Sequence, residues 1–497
     1  MFKDGKLLIG KGEENIYLLP PMVNRHGLIA GATGTGKTIT LKVMAESLSD
    51  MGVPVFLADI KGDVSGTCVS GTLTDKLRNR LDKMGIKDFS VHAYPVTFWD
   101  VYGQKGHPVR TTVSEMGPVL LARLLELTDV QTGVLNIVFR IADDRKLLIL
   151  DLKDLRSMLT YVGEHAKEFT TQYGNVTKQS VGAILRSLMA LEDAGGENFF
   201  GEPALNIRDW LAKDENGHGA VNIFNCVELY QHPILYSTFM LWLLNELFEI
   251  MPEVGDLDKP KIVFFFDEAH LLFNNAPKAL VDKVVQVVKL IRSKGVGVYF
   301  ITQNPADLPD QVLAQLGNRV QHALRGYTPA EQKAIKAAAA SFRTNPAFKT
   351  EDVIGELSIG EALTSFLDEE GRPAMVQKTK ILPPMSSMSA ADAGIVEKLI
   401  KSSLLYGKYE EVIDRESAYE ILTAQKSQED EETQAAQVAK LADKQAKENA
   451  KEQAAAARAA SRQPKSLTDR MIDKTVNSLE KKAINVFTRT LFGLLRK

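Results

Sequence analysis

The chain has 497 residues, 44% of them hydrophobic, with a net charge of −3: enough length for roughly three domain-sized units, and too even a charge balance for a protein that is a basic nucleic-acid platform all over, though a basic pore stays compatible with it. Its two cysteines, Cys68 and Cys226, fit neither a metal spacing nor a disulfide framework, so a reducing, cytoplasmic compartment is expected. No apolar run reaches bilayer length and the start lacks a signal-peptide pattern, so no integral membrane association is expected and only peripheral attachment stays open.

In chain order, residues 1–26 are short and mixed. An apolar run over 27–30 feeds the glycine-rich stretch 31–36, and a helical pattern follows over 37–51. Residues 53–58 read as a buried strand ending at Asp59. Strand, glycine turn, helix and strand form a βαβ unit and predict a parallel sheet. The stretch from about 70 to 215 reads as mostly helical, with helix-period segments at 118–127, 132–142 and 152–166 and few strand signals. The α/β alternation then resumes: a strand at 220–224, an apolar helix at 233–251, a strand at 262–266, a helix at 278–294 and a strand at 296–302. Segments 360–367 and 373–378 around a turn at 368–371 read as a hairpin.

This predicts an α/β protein in six stretches. The core comes in two parts, 1–70 and 216–385, separated by a mostly helical insertion over 71–215. A helical extension over 386–424, a linker rich in Ala, Gln, Glu and Lys over 425–462, and an amphipathic helix over 463–497 complete the chain. In that last helix Leu479, Ala483, Val486 and Phe487 gather on one side, with Lys481, Lys482 and Arg489 elsewhere. Docking on a neighbouring subunit, with the linker as tether, is the expectation; packing on its own domain and binding a membrane surface are the alternatives.

Gly31-Ala32-Thr33-Gly34-Thr35-Gly36-Lys37-Thr38 fits the P-loop pattern at every fixed position. Its glycines let successive N–H groups, over Thr33, Gly34, Thr35, Gly36, Lys37 and Thr38, turn toward phosphate oxygens, and the helix that follows adds its positive end. Lys37 would bridge the β- and γ-phosphates of ATP, and the Thr38 hydroxyl would ligate Mg²⁺. The second element is the strand Ile262–Phe266 running into Asp267 and Glu268. A buried strand ending in two carboxylates has the form of a Walker B segment, with Asp267 holding Mg²⁺ through its water shell and Glu268 as general base. Gln303, at the tip of the next strand, would sense the γ-phosphate or its water. Arg25, Arg292 and Asp59 stay open between roles at the site and ordinary surface or loop roles.

With those residues in hand, the chain resembles the HerA/FtsK-type P-loop ATPases, and more narrowly the bacterial HerA-like proteins of the YjgR type. The carriers are Asn24-Arg25-His26-Gly27, the P-loop, Asp59-Ile60-Lys61-Gly62-Asp63, Phe266-Asp267-Glu268-Ala269-His270, Arg292-Ser293-Lys294-Gly295, Thr302-Gln303-Asn304-Pro305 and Gly360-Glu361-Ala362, spanning about 20 to 380. The resemblance implies a RecA-like P-loop NTPase core with a mainly parallel sheet, and a hexameric ring that binds ATP between subunits and passes DNA through its centre as a helicase or translocase. It further implies that Arg25 reaches across the subunit interface, with Arg292 a second basic position of that kind. With only about 26 residues ahead of the P-loop strand, the β-barrel of archaeal HerA, which helps to dock a partner nuclease, is not expected, and a nuclease partner stays open. Remodelling of a protein or another polymer, and nucleotide-gated assembly with little turnover, are competing functions; Glu268 speaks against the last, because a pure switch needs no general base.

Overall fold

The computed structural model describes residues 1–273 and 278–460. Among these, thirteen strands form one sheet: β1 (Phe2–Lys3), β2 (Lys6–Lys11), β3 (Asn15–Leu18), β4 (Gly27–Ala30), β5 (Val55–Asp59), β6 (Val96–Asp100), β7 (His107–Pro108), β8 (Val221–Asn225), β9 (Ile262–Phe266), β10 (Val296–Thr302), β11 (Asn318–Gln321), β12 (Glu361–Ser365) and β13 (Gln377–Ile381). The spatial order is β1-β2-β13-β12-β11-β4-β10-β9-β5-β8-β6-β7, with β3 beside β2. The stretch from β11 to β7 is parallel throughout. The other end, from β12 to β1, is antiparallel.

The parallel strands are apolar because both faces are covered. Every residue of β5, β9 and β10 is buried. Side chains alternate between two cores with the period of two that a strand imposes. Phe264 and Phe266 join Phe56, Phe224 and Phe300 on one face, while Val263 and Phe265 join Leu57, Ile223 and Ile301 on the other. Helices Val113–Leu124, Asp129–Arg145, Leu152–Glu164, Lys178–Asp193 and Pro233–Ile250 contribute to the first core. Helix α1 (Lys37–Asp50) and helix Asp75–Met84 contribute to the second.

Several elements differ from the sequence expectation. Residues 1–26, short and mixed in sequence and given no element there, form β1 to β3 and a 3₁₀ turn, Pro20–Arg25, and β2 pairs with β13 from the far end of the core. The region 71–215, expected to be mostly helical, also contributes β6, which joins the main sheet in parallel with β8. Helix 118–127 is displaced to Val113–Leu124, broken at Gly117, whose φ of +72° leaves the helical region. The helix after β9 ends at Leu290 and tightens into a 3₁₀ turn, Ile291–Lys294. Over 386–424 only Ala393–Ser402 and the start of Ala418–Ala460 are helical. The rest is a strap held by side chains of the core: the buried Glu46 carboxylate accepts from the N–H groups of Met385 (2.6 Å) and Ser386 (3.3 Å) and from the Ser386 hydroxyl, and Asp154 accepts from Ser417 and from the Tyr419 N–H.

The chain divides into two units, Met1–Leu422 and Thr423–Lys497. Of the second, the described part is helical up to Ala460 and its side chains are exposed from 423 to 458. The expected amphipathic helix over 463–497 lies outside the described residues.

Candidate nucleotide site

The phosphate loop runs from the end of β4 into α1. Its floor is stitched to the ends of the two neighbouring strands: Gly31 N–H donates to Thr302 O (3.3 Å) and Ala32 N–H to Ala323 O (2.9 Å). Glycine at 31 is dictated by this closeness, because a Cβ there would lie 2.5 Å from Cβ of His322. Gly36 takes a φ of +116°, a conformation an L side chain rarely adopts. Thr33 and Gly34 are exposed at the loop's crest, while the Thr35 hydroxyl donates to Ala32 O (2.7 Å). Lys37 is buried, and its ammonium donates to the carbonyls of Gly31 (2.6 Å) and Ala32 (3.2 Å). Burial, and next the charge of Lys61, push its pKa below the ordinary lysine value, opposed by Glu268 and Asp267. Thr38 is partly exposed beside it.

The sheet order inserts β10 between β4 and β9. Gln303, immediately after β10, therefore stands between the phosphate loop and the carboxylates that end β9. Its amide donates to Glu268 Oε1 at 3.4 Å. Glu268 is 4% exposed and sits in the left-handed region, φ +46° and ψ +47°. Such a conformation costs a non-glycine residue roughly 1–2 kcal/mol and is most often found where a side chain has to be aimed. Its Oε2 is buried without a hydrogen-bond partner, 3.4 Å from Nδ1 of His270. Asp267 is fixed from its backbone, whose carbonyl accepts from the Tyr236 hydroxyl (2.7 Å), and by its own Oδ1, which accepts from Glu268 N–H (2.9 Å). Burial and the neighbouring Glu268 charge push the Asp267 carboxyl up to about 6, against the pull of Lys61 and Lys37. A buried carboxylate of this kind is short of positive charge.

Asp59 closes the loop after β5: its carboxylate accepts from the N–H groups of Gly62 (2.7 Å) and Val64 (3.3 Å). It shapes the turn that carries Lys61, whose charge is felt at both Lys37 and Asp267. Burial and Asp63 push Asp59 up to about 6.

The structure thus brings Lys37, Thr38, Asp267, Glu268 and Gln303 to the carboxyl ends of adjacent parallel strands, where open α/β sheets bind ligands. Arg25 and Arg292 are not among them. Arg25 ends the 3₁₀ turn before β4, and Arg292 lies in the turn before β10, so both stand at the amino ends of the strands, the opposite edge of the sheet. They are neighbours there: the charge of Arg292 contributes, after burial, to lowering the Arg25 pKa, and Arg292 donates to Asp256 (2.6 Å). Sequence reading passed over His322, which backs the loop by pairing with the Thr40 hydroxyl (2.8 Å) and Glu361 O (3.0 Å), and gave no role to Lys61 although its motif was in view. Among the described residues no group of three or more His, Cys, Asp or Glu side chains stands ready to hold a metal by itself. The donor set of Thr38 and Asp267, one hydroxyl and one carboxylate, fits a hard, largely hydrated cation that takes its remaining ligands from phosphate.

A family model described as "Helicase HerA-like C-terminal" matches residues 5–497. The chain belongs to the HerA-like family. No curated protein matches this HerA-like chain in sequence. Among solved structures it is similar to the bacterial conjugative coupling protein TrwB lacking its first 70 residues, with a TM-score of 0.52, 14% identity, and coverage of 79% of this chain and 92% of that one. TrwB in complex with a non-hydrolysable ATP analogue gives 0.51 at 15% identity, covering 75% and 88%. VirB4 of Thermoanaerobacter pseudethanolicus gives 0.50 at 15%, covering 76% and 97%. At such identities the likeness is one of fold: the RecA-like P-loop architecture expected from the sequence, with its mainly parallel sheet. No helix among the described residues is long and apolar enough to cross a membrane.

Proposed function

We propose that this HerA-like chain binds ATP with Mg²⁺ at residues 31–38 and hydrolyses it, working as a homo-oligomeric ring of six that moves DNA. The observation that carries the reading is the approach of Gln303 to a buried, strained Glu268 on the strand next but one to the phosphate loop. A protein that only binds nucleotide has no use for a carboxylate held in a costly backbone conformation with one oxygen unpartnered.

The backbone N–H groups of Thr33, Gly34, Thr35, Gly36, Lys37 and Thr38 bind the phosphates, and the Lys37 ammonium exchanges its loop carbonyls for phosphate oxygens. Thr38 and Asp267 would hold Mg²⁺, which would offset the charge that develops on the phosphates. Glu268 accepts the proton of the attacking water at its carboxylate, and the Gln303 amide orients that water. Transfer of a phosphoryl group calls for added positive charge in fork geometry. Arg25 and Arg292 stand too far round the sheet to supply it to their own loop, so a neighbouring copy supplies it. TrwB, which shares the fold, binds an ATP analogue, and membership of a helicase family supports DNA as the polymer.

The reading is tested by phosphate release. The wild type should hydrolyse ATP only with Mg²⁺, and faster with added DNA, the DNA effect weakening as salt rises. Hydrolysis unaffected by Lys37→Ala would refute the site, and a rate indifferent to DNA at low salt would refute the polymer.

A further inference from the structure

The motif Gly360-Glu361-Ala362 has no part in the chemistry above, yet it touches the phosphate loop. Gly360 N–H donates to Thr35 O (3.3 Å), and a Cβ on Gly36 would lie 3.4 Å from the Gly360 nitrogen. The turn is closed by Glu361, which donates its N–H to Ser358 O (2.9 Å), accepts from Ser358 N–H (3.1 Å), and pairs with Lys378 (3.3 Å). Its negative charge is thereby engaged close to where phosphates would lie.

The residue this turn presents is Ile359, 77% exposed. Its neighbours show that apolar side chains here can be buried: Ile354 and Leu357 fill a small core of their own with Ala323, Leu324, Phe342 and Val376. Ile359 is left out of that core, one residue from the contact with Thr35. Arg80, on helix Asp75–Met84, comes to the same place. Its guanidinium donates to the carbonyls of Gly360 (3.0 Å) and Ile381 (2.9 Å), and a Cβ on Gly360 would lie 2.8 Å from it. Both bonds are made by Nη2, which anchors the guanidinium at the backbone of Gly360, the residue next to the exposed isoleucine.

Resting on the ATP reading, we infer that Ile359 and Arg80 form the seat of the nucleobase. The phosphate loop recognises phosphate and nothing else of a nucleotide. The base attached to those phosphates is a flat aromatic with apolar faces; an aliphatic side chain and a guanidinium plane are the two surfaces that pack on such a face. The seat is contiguous with the loop through Gly360 and Thr35, so the group that reaches it is the one tethered to the bound phosphates. The glycines at 36 and 360 keep the two segments close enough for one molecule to span both.

The experiment compares MgATP with magnesium tripolyphosphate, which offers the phosphates without the base, by titration calorimetry on the full chain. Ile359→Ser, at an exposed position, should weaken MgATP about five- to tenfold, the effect of withdrawing most of one aliphatic side chain's contact. It should leave tripolyphosphate unchanged. Arg80→Lys keeps a donor for the carbonyls and loses the plane, and should show the same split. Ile359→Trp should bind MgATP more tightly than Ile359→Ser, again with tripolyphosphate unmoved. MgATP affinity unchanged in Ile359→Ser, or an equal loss for both ligands, would overturn the seat. A wild type that binds neither ligand would overturn the ATP site itself, and the seat with it.

Discussion

Lys37 lies almost enclosed at the foot of its loop, with its charge on two carbonyls and with Lys61 pressing on it. Lys37→Ala is expected to lose ATP binding and turnover together, by a hundredfold or more in rate, as read by equilibrium titration alongside phosphate release. Its loss of both distinguishes it from a residue that acts only in the chemical step. Behind the loop, burial drives His322 down to about 4, so it is neutral when folded. The unfolded chain takes up a proton near pH 6.5 and the folded one does not. Its contribution to stability is therefore full above pH 6.5 and is lost as pH falls from there to about 4. His26 acts in the same direction, whereas Asp59 and Asp267, pushed up to about 6, act in the opposite one. The comparison that isolates His322 is its glutamine variant: the wild type's advantage in melting temperature over His322→Gln should shrink steadily between pH 7 and pH 4, and a constant gap would contradict the account. Lys37, Thr38, Asp267 and Glu268 were legible in the sequence because each is fixed by the few residues around it. His322 was not, because its meaning comes from Thr40, 282 residues away.

At the scale of elements, the strands that sequence revealed are those whose residues are buried on both faces: β9 and β10 begin and end where their apolar runs do. The strands it missed owe their existence to distant partners. β6, only partly apolar, is a strand because β8 pairs with it, and the β2–β3 hairpin is tied into the sheet where β13 pairs with β2. Of the expected helical extension over 386–424, the non-helical part is anchored by remote groups again: Glu46 at one end and Asp154 at the other. Glu46 is fully buried on α1 with Lys42 beside it. Glu46→Ala would leave three donors without their acceptor and remove the charge that offsets the buried Lys42 ammonium, a cost of about 3–5 kcal/mol. Limited proteolysis should then cut within 386–422 faster than in the wild type, while residues 31–38 keep their own hydrogen bonds. Equal cleavage rates would show that the strap is held by its apolar contacts alone.

For the whole molecule, the decisive geometry is that one edge of the sheet carries Lys37, Asp267, Glu268 and Gln303 and the other carries Arg25 and Arg292. A single copy keeps them apart, whereas in the ring proposed above copies facing the same way would bring the two edges together at each interface. An arginine supplied in this way is worth on the order of a thousandfold in rate. Arg25→Ala and Lys37→Ala chains, each inactive alone, should recover activity when mixed, because an intact Lys37 site then meets an intact Arg25 from its neighbour. No recovery in co-assembled mixtures would confine Arg25 to its own subunit. Removal of 463–497 tests the tether-and-dock reading of the tail: sedimentation with ATP should show a weaker ring, with Mg²⁺-dependent ATP binding retained.

The central claim, that this HerA-like chain turns ATP over with Glu268 as the base, meets its most direct test in one pair of measurements on wild type and Glu268→Gln: MgATP affinity and the rate of phosphate release. The amide keeps the volume and one acceptor but cannot take a proton, so affinity should stay within about twofold while the rate falls by a hundredfold or more. A variant that hydrolyses ATP at the wild-type rate would contradict the account.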